Sequence, residues 1–320
     1  MKYFDLHCDT LWECYEMRKN LRENDLFIDK SKIAGFEEYV QFFALFCGAR
    51  PPQPIPGRRA LLDLPEEQRL GAMLDTAREQ FSRNRDWLYQ CFSAEDLQSP
   101  DRRGRAAAFL SIEGAELLCS EEHLRRAYDA GVRMVTLSWN GRNRYACGAA
   151  TDNDEGLSQA GKALVRRLVG MGVILDVSHL SDAGFWDVCV ETEAPFAASH
   201  SNSRTVCPHC RNLTDLQFSE MVRRGGLVGL NLYNNFLRDD GQRATLTDAV
   251  RHIEHFCALG GQDILAIGAD FDGCEALPEG FSTVADITRL AEELRRLGYP
   301  QSTIDGLFYA NAGRFIERML

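Results

Sequence analysis

Histidine and acidic side chains stand at the ends of several short apolar runs in this sequence of 320 residues. The six residues are His7, Asp9, Glu113, His179, His200 and Asp270. Imidazole and carboxylate donors without thiolate suit Zn²⁺ or a similar divalent ion. If all six side chains share one cavity, their combined charge requires such a cation. A central carboxylate can also bridge two ions about 3.5–4 Å apart, which activate water at neutral pH.

Eight apolar runs alternate with helical patterns along the chain. The runs are YFDLHCD, YVQFFALFCG, AAAFLSIEG, RMVTLSW, VILDVSH, FAASHS, LVGLNLY and ILAIGADFD. Most are continuously apolar, which is typical of parallel strands covered on both faces. The alternation predicts a (β/α)8 TIM barrel more than a doubly wound sheet. Barrel enzymes place their chemistry at the carboxyl ends of the strands, at one end of the barrel that we call its mouth. We therefore expect the six residues to lie close together there.

Composition and charge exclude several classes of protein. Hydrophobic residues make up 45% and charged residues 26% of the chain, which is ordinary for a globular protein. The net charge of −11 argues against nucleic acid or an anionic membrane as a partner. No GxGxxG opens a helix after a strand and no GxxxxGK[ST] occurs, so nucleotide-binding folds lose support. No repeat or linker divides the chain, and residues 1–320 are predicted to form a single barrel domain with C-terminal helices.

The cellular compartment is predicted from targeting signals and cysteines. We find no basic segment followed by an apolar one at the N-terminus, and no apolar run long enough to span a bilayer. The 11 cysteines are odd in number and scattered, which is typical of reduced thiols. These features predict a cytoplasmic protein.

The ordered motifs FDLHCDT, SIEGAE, DVSH, SHSNSR, RNLTD, GLNLYNNF and GADFDG cover nearly the whole chain. Through them the sequence resembles the membrane (renal) dipeptidases and their bacterial relatives, peptidase family M19 of the amidohydrolase barrels. The resemblance implies a zinc-dependent dipeptidase that holds two Zn²⁺ and acts on small dipeptides. It implies that His7 and Asp9 bind one zinc and that Glu113 bridges to the second. The second zinc would be bound by His179 and His200.

The same resemblance implies roles in handling the substrate. Asp270 would act as general base and then as general acid, Arg211 in RNLTD would bind the substrate carboxylate, and Tyr233 would line the pocket. One departure concerns Trp139, which stands where mammalian members carry a histidine that polarises the scissile carbonyl. Trp139 is predicted to form a pocket wall, and the oxyanion contact is expected from the metal or from a neighbour such as Asn140. A homodimer is suggested by analogy alone.

Other readings of the sequence remain open. The chain could be a metal-dependent hydrolase of a lactone, an N-acyl amino acid or a phosphoester, or a metal-binding protein without catalysis. The CPHC motif at residues 207–210 has the spacing of thiol–disulfide oxidoreductases, although a pair of loop thiols is the favoured interpretation. His252 and His255, in HIEH, are predicted to lie on a solvated helix face. The proline-rich loop GARPPQPIPG is predicted to be a rim insertion, with a lid as the alternative.

Overall fold

A parallel β-sheet forms the centre of the protein in this computed structural model, which describes residues 1–50 and 57–320. Every strand pairing in it is parallel. The strands within the described residues are β1 (Lys2–Asp5), β2 (Glu38–Phe46), β3 (Leu88–Gln90), β4 (Ala106–Glu113), β5 (Val132–Thr136), β6 (Ile174–Asp176), β7 (Ala197–Ala198), β8 (Leu227–Leu230) and β9 (Leu265–Ile267).

The sheet closes on itself to form a barrel. Strand β1 pairs with both β2 and β9, and β2 pairs with β4, so the ring contains β1, β2 and β4 to β9. These eight strands are the eight apolar runs, and the TIM-barrel prediction is therefore confirmed. Strand β3 is an additional short strand beside β4 that is not among the eight predicted strands. It has only three residues, too few to show a hydrophobic period.

Helices follow the strands and surround the barrel. They are α1 (Thr10–Glu16), α2 (Glu66–Arg83), α3 (Glu95–Gln98), α4 (Glu121–Asp129), α5 (Gln159–Gly170), α6 (Asp182–Glu191), α7 (Asp215–Arg224), α8 (Asn234–Leu237), α9 (Leu246–Ala258), α10 (Thr288–Arg296), α11 (Gln301–Asp305) and α12 (Asn311–Met319). A π-helical turn, Gly306–Ala310, joins α11 to α12. No helix of the described residues is long and apolar enough to cross a membrane. The predicted rim loop lies mostly at residues 51–56, outside the described residues.

Hydroxyl side chains fix the starts of the helices that follow the mouth loops. The hydroxyl oxygens of Ser158 and Ser181 accept hydrogen bonds from the backbone N–H groups of Gly161 and Gly184. Thr214 forms a reciprocal capping box with Gln217 at the start of α7. Each cap stabilises its helix by about 1 kcal/mol. The caps therefore fix where the loops before α5, α6 and α7 end.

Aromatic side chains fill the floor of the barrel. Phe4, Phe42 and Phe109 stack on one another inside the ring, with centroid distances of 5.0 to 6.4 Å. Phe315 and Ile316 of α12 pack against the same cluster. All of these side chains are fully buried, and each contributes roughly 2–3 kcal/mol through burial of apolar surface. The packed floor leaves the carboxyl ends of the strands as the place for a polar site.

Candidate metal centre

The predicted ligands meet at the carboxyl end of the barrel. His7 lies between β1 and α1, Glu113 is the last residue of β4, and Asp270 follows β9. His179 and His200 follow β6 and β7. All of them, together with Asp9, are at most 7% exposed. The structure therefore brings together all six residues that the sequence placed at strand ends.

Glu113 lies at the centre of the three imidazoles. Its Oε1 is 2.8 Å from His179 Nε2 and 3.6 Å from His200 Nε2. Its Oε2 is 3.6 Å from His7 Nε2. One carboxylate oxygen thus faces two histidines and the other oxygen faces the third. This arrangement is the one that a carboxylate needs to bridge two ions.

Two aspartates complete the side of the site that contains His7. His7 Nε2 is 3.7 Å from Asp9 Oδ2 and 3.8 Å from Asp270 Oδ1. Two ligand atoms that each lie about 2.1 Å from one ion in tetrahedral geometry are roughly 3.4 Å apart. The observed separations are close to this value, and Asp270 lies as close to His7 as Asp9 does. The Asp270 carboxylate therefore lies within reach of an ion held by His7 and Asp9.

Several polar atoms of the site are buried without a hydrogen-bond partner. They include His7 Nε2, Asp9 Oδ1 and Glu113 Oε2. An unsatisfied buried polar atom costs about 1–3 kcal/mol, so three in one cavity need compensation. A divalent cation would compensate for the missing hydrogen bonds, because imidazole nitrogens and carboxylate oxygens are ligand atoms that such an ion prefers. The side chains of the site therefore fit a bound metal.

The protonation of the site also responds to its buried charges. Burial, and then the nearby Glu113 carboxylate, raises the pKa of Asp9 to about 6. Burial alone would lower the pKa of His7, but Glu113 and Asp9 raise it well above its usual value. A cation would oppose both shifts, since it favours ionised carboxylates and neutral imidazole. Burial lowers the pKa of His179 and His200 well below the usual value, which keeps both rings in the neutral, ligating form.

Hydrogen bonds orient the two histidines that face Glu113. His179 Nδ1 is 2.8 Å from the side-chain oxygen of Asn140, and His200 Nδ1 is 2.7 Å from the Ser199 hydroxyl. In both rings this contact leaves Nε2 directed at the site. Such partners set the tautomer and the ring orientation of metal-bound histidines. Asn140, which the sequence suggested as an oxyanion contact, thus uses its side-chain oxygen to orient His179.

Backbone turns direct two of the site residues into the mouth. His179 and Asp270 have φ angles of 68° and 64°, in the left-handed region. For a residue with a side chain this conformation costs roughly 1–2 kcal/mol. A turn of residues 270–273, closed by a hydrogen bond of 3.2 Å from Gly273 N to Asp270 O, brings Gly273 beside the carboxylates. A Cβ on Gly273 would lie 2.2 Å from Asp9 Oδ2 and 2.3 Å from Asp270 Oδ1.

Arg211 is a buried cation in the loop between β7 and α7. It is 5% exposed, and its Nε and Nη2 atoms have no hydrogen-bond partner. Its guanidinium lies over the ring of Phe236, 5.2 Å from the centroid. Burial lowers the pKa of Arg211 to about 10, although Asp270 and Glu113 oppose this shift. Its charge in turn contributes to lowering the pKa of His179 and His200. The guanidinium is therefore close enough to both imidazoles to affect their protonation.

Comparison with known proteins assigns this chain to a family. Residues 1–319 match the family model described as membrane dipeptidase, peptidase family M19. The chain belongs to peptidase family M19. It is 37% identical over 242 residues to an uncharacterized protein in the pqqA 5′ region of Klebsiella pneumoniae, across 72% of this chain and 89% of that protein. The chain is therefore a hydrolase of the M19 metallo-dipeptidase family, as the resemblance implied.

Solved structures of two metallopeptidases have the same fold. A metallopeptidase from Rhodobacter sphaeroides, liganded with a phosphinate mimic of the dipeptide L-Ala-D-Ala, has a TM-score of 0.85 and 27% identity, covering 100% of this chain and 99% of that chain. Dipeptidase AC, a metallopeptidase of family M19, has a TM-score of 0.86 and 28% identity, covering 100% and 98%. Both structures are similar to this chain over its whole length.

The two predicted pocket residues of this M19 protein lie near the mouth. The Trp139 indole is 5.3 Å from the ring of Phe46 and 6.1 Å from that of His179, and it is partly buried. Tyr233 is also partly buried and packs edge-on against Phe236, on which Arg211 lies. Burial and the nearby Glu275 raise the pKa of the Tyr233 phenol to about 12. Trp139 therefore lies beside a predicted metal ligand, and Tyr233 packs against the same phenylalanine as Arg211.

The CPHC thiols lie in a loop, as predicted. Residues 207–210 come before Arg211, and the next helix, α7, begins only at Asp215. Cys207 is fully buried, and burial raises the pKa of its thiol to about 11. A reactive thiol needs the opposite shift, so the burial of Cys207 does not favour a redox function. All 11 cysteines of the chain are free thiols.

The prediction of a solvated face for HIEH is wrong for its first histidine. His252 is fully buried on α9, where its Nδ1 accepts a hydrogen bond of 3.1 Å from Ser203 N. Its Nε2 is 3.1 Å from the Leu237 carbonyl oxygen. His255 is partly buried and pairs with Asp215 at 2.8 Å. The inward face of α9 thus ties two mouth loops together, which a local polar pattern did not reveal.

Proposed function

We propose that this M19 protein is a zinc-dependent dipeptidase that hydrolyses the peptide bond of dipeptides. The observation that carries the proposal is the buried Arg211 guanidinium, with unpaired N–H groups, in the same mouth as the imidazole and carboxylate cluster. A bidentate pair between Arg211 and a free carboxylate would satisfy these donors. An arginine that binds the C-terminal carboxylate of the substrate beside the reacting centre would favour very short peptides.

The side chains can be assigned to two Zn²⁺ ions. His7 and Asp9 would hold one ion, His179 and His200 the other, and Glu113 would bridge them, as the distances around Glu113 support. When bound, such a pair of ions polarises the scissile carbonyl and activates water as the nucleophile. Asn140 and Ser199 keep the two imidazoles in the orientation that this binding requires.

Asp270 is assigned the proton transfer in this proposal. Burial raises its pKa to about 6, with contributions from Asp9 and Glu113 against the opposing charge of His7. A general base and acid works best with a pKa near the working pH. Asp270 would accept the proton from the attacking water and return it to the leaving amine. Its Oδ1, which faces His7 at 3.8 Å, would make both transfers.

The substrate side of the mouth is assigned to Arg211, Tyr233 and Trp139. Arg211 would bind the C-terminal carboxylate, and the two aromatic side chains would form walls against the substrate side chains. The phosphinate mimic of L-Ala-D-Ala in the Rhodobacter sphaeroides metallopeptidase supports testing a D-residue at the second position. A single domain over residues 1–320, a homodimer and a cytoplasmic location also remain proposals.

The test compares dipeptides with their C-terminal amides. The panel contains L,L and L,D dipeptides, assayed with and without added Zn²⁺. In Arg211→Met, kcat/KM should fall by about 10²- to 10³-fold for free dipeptides, because a buried charge-assisted pair is lost. The amides, which lack the carboxylate, should be hydrolysed by the variant and the unmodified enzyme at similar rates. If Arg211→Met slows both substrate types equally, Arg211 does not bind the carboxylate.

The main alternative is a metal-dependent hydrolase of another amide, a lactone or an ester. It would show hydrolysis of neutral substrates that exceeds hydrolysis of every dipeptide in the panel. A thiol–disulfide oxidoreductase is tested by replacing Cys207 and Cys210 with serine, which should leave dipeptide hydrolysis unchanged.

A further inference from the structure

Three asparagines without an assigned role lie in the loops that follow β7 and β8. Asn202, Asn212 and Asn231 are each at most 1% exposed. A buried amide is costly unless its donors and acceptors are satisfied. The hydrogen bonds of these three side chains run between the loop that carries Arg211 and the residue Asp270. This network suggests a role in the chemistry of the site.

Asn231 directly follows β8 and contacts Asp270. Its Oδ1 accepts a hydrogen bond from the backbone N–H of Tyr233, two residues along the chain. Since Oδ1 is an acceptor there, the other side-chain atom must be the NH₂ group. That group donates to Asp270 Oδ2 over 3.0 Å, and it lies 3.4 Å from the His200 carbonyl oxygen. The orientation of the amide is therefore fixed by its own surroundings.

This contact separates the two oxygens of the Asp270 carboxylate. Oδ2 is engaged by Asn231, whereas Oδ1 faces His7 Nε2 at 3.8 Å. Asp270 belongs to a left-handed turn, and the rotation of its carboxylate is set by the contacts of its oxygens. Without the Asn231 donor, the carboxylate loses the bond that holds Oδ1 toward the reacting centre.

Asn202 fixes the backbone on which Asn231 stands. The side-chain oxygen of Asn202 accepts from Asn231 N, and its NH₂ group donates to Asn231 O, both over 2.9 Å. Asn202 N in turn donates to the Asn212 side-chain oxygen over 3.3 Å. Asn212 donates to the Phe236 carbonyl oxygen over 2.9 Å, and Arg211 lies over the ring of Phe236. The buried amides therefore form a continuous series of hydrogen bonds from Phe236, on which Arg211 lies, to Asp270.

We infer that Asn231 is a positioning residue that holds the Asp270 carboxylate in the orientation needed for proton transfer, with Asn202 as its support. The inference rests on the proposed function, in which Asp270 carries the proton. Asn231 itself touches neither the substrate nor the metal ligands' side chains in this assignment. Its effect on the reaction is exerted through Asp270.

A double-mutant cycle tests this inference. Asn231→Leu removes the donor with little change of volume, and Asn231→Ser is a smaller replacement whose hydroxyl is too short to reach Asp270. Each should lower kcat by about 10- to 100-fold, with KM changed less than threefold, as expected for a lost hydrogen bond to a charged group. In the Asp270→Asn background neither substitution should lower kcat further, because the group that Asn231 positions is already inactive. Metal content per chain, measured by elemental analysis, should stay at the level of the unmodified protein in every variant.

Asn84→Leu is the matched control. Asn84 is another buried asparagine, 1% exposed, whose side chain binds Gln80 O and the Trp87 indole N–H at the opposite end of the barrel. Its replacement should lower the unfolding temperature without lowering kcat. Multiplicative losses in the double variants, unchanged kcat in both Asn231 variants, or loss of metal in them would overturn the inference. Unchanged kcat in Asp270→Asn would instead refute the proposed proton carrier, and the inference with it.

Discussion

Gly273 offers a sharp test of the close packing of the Asp9 and Asp270 carboxylates in the candidate metal centre. The perturbation is Gly273→Ala, which adds one methyl group at the mouth. That methyl carbon would lie 2.2 Å from Asp9 Oδ2 and 2.3 Å from Asp270 Oδ1, whereas real Cβ contacts essentially never fall below 3.0 Å. The φ angle of Gly273 is not among the positive ones, so alanine brings no left-handed strain. The expected effect is therefore steric and local to the two carboxylates.

The size of the effect follows from the overlap. To restore van der Waals contact, the carboxylates and the turn must separate by about 1 Å, which exceeds the roughly 0.2 Å tolerance of metal–ligand distances. We expect metal affinity to fall by about 10- to 100-fold, and kcat by about 10²-fold, since misplacement by 1 Å has this cost. The assay titrates the metal-loaded protein with a chelator, measures retained metal by elemental analysis, and measures dipeptide hydrolysis on the same samples.

A second glycine provides the control for Gly273→Ala. Gly313 lies in α12, and a Cβ on it would meet no atom within 4 Å. Gly313→Ala should leave metal content and kcat unchanged, and it should stabilise the protein by about 0.5–1 kcal/mol through helix propensity. If Gly273→Ala also retains full metal affinity and full kcat, then neither metal binding by Asp9 nor proton transfer by Asp270 depends on the position of these carboxylates. The assignment of that side of the site would then be wrong.

Two further predictions concern the bridge and the pocket wall. Glu113→Gln should weaken the binding of both metal ions, because the two carboxylate oxygens of Glu113 face different histidines. If elemental analysis finds that only one ion is lost and activity is full, Glu113 does not bridge the two ions. Trp139→Ala should change the ranking of dipeptides by side chain, mostly through KM, since the indole lies between Phe46 and His179. Trp139→His should not raise kcat by an order of magnitude, and such a gain for all dipeptides would show that a missing oxyanion donor limits the enzyme.

The sequence alone determined the fold and the composition of the site. Most of the eight apolar runs are continuous, which is typical of strands covered on both faces in a parallel sheet, and the closed barrel confirms this prediction. Because parallel strands in a barrel all end at one mouth, residues at strand ends must meet, however far apart they lie in the chain. His7 and Asp270 are an example, since they lie at opposite ends of the chain and 3.8 Å apart in space. The ordered motifs predicted membership of peptidase family M19, which the match to the family model confirms.

Tertiary structure alone decided which atoms of the site face each other. The left-handed turns at His179 and Asp270 set the direction of two side chains, and nothing in a local apolar pattern encodes a φ angle. Asn231 and Gly273 act on Asp270 through a hydrogen bond and a close approach, both of which depend on how neighbouring loops fold over the mouth. His252 was misjudged for the same reason, because its partners come from other loops. A sequence pattern shows what each segment can bury, whereas contacts between segments exist only after the barrel has closed.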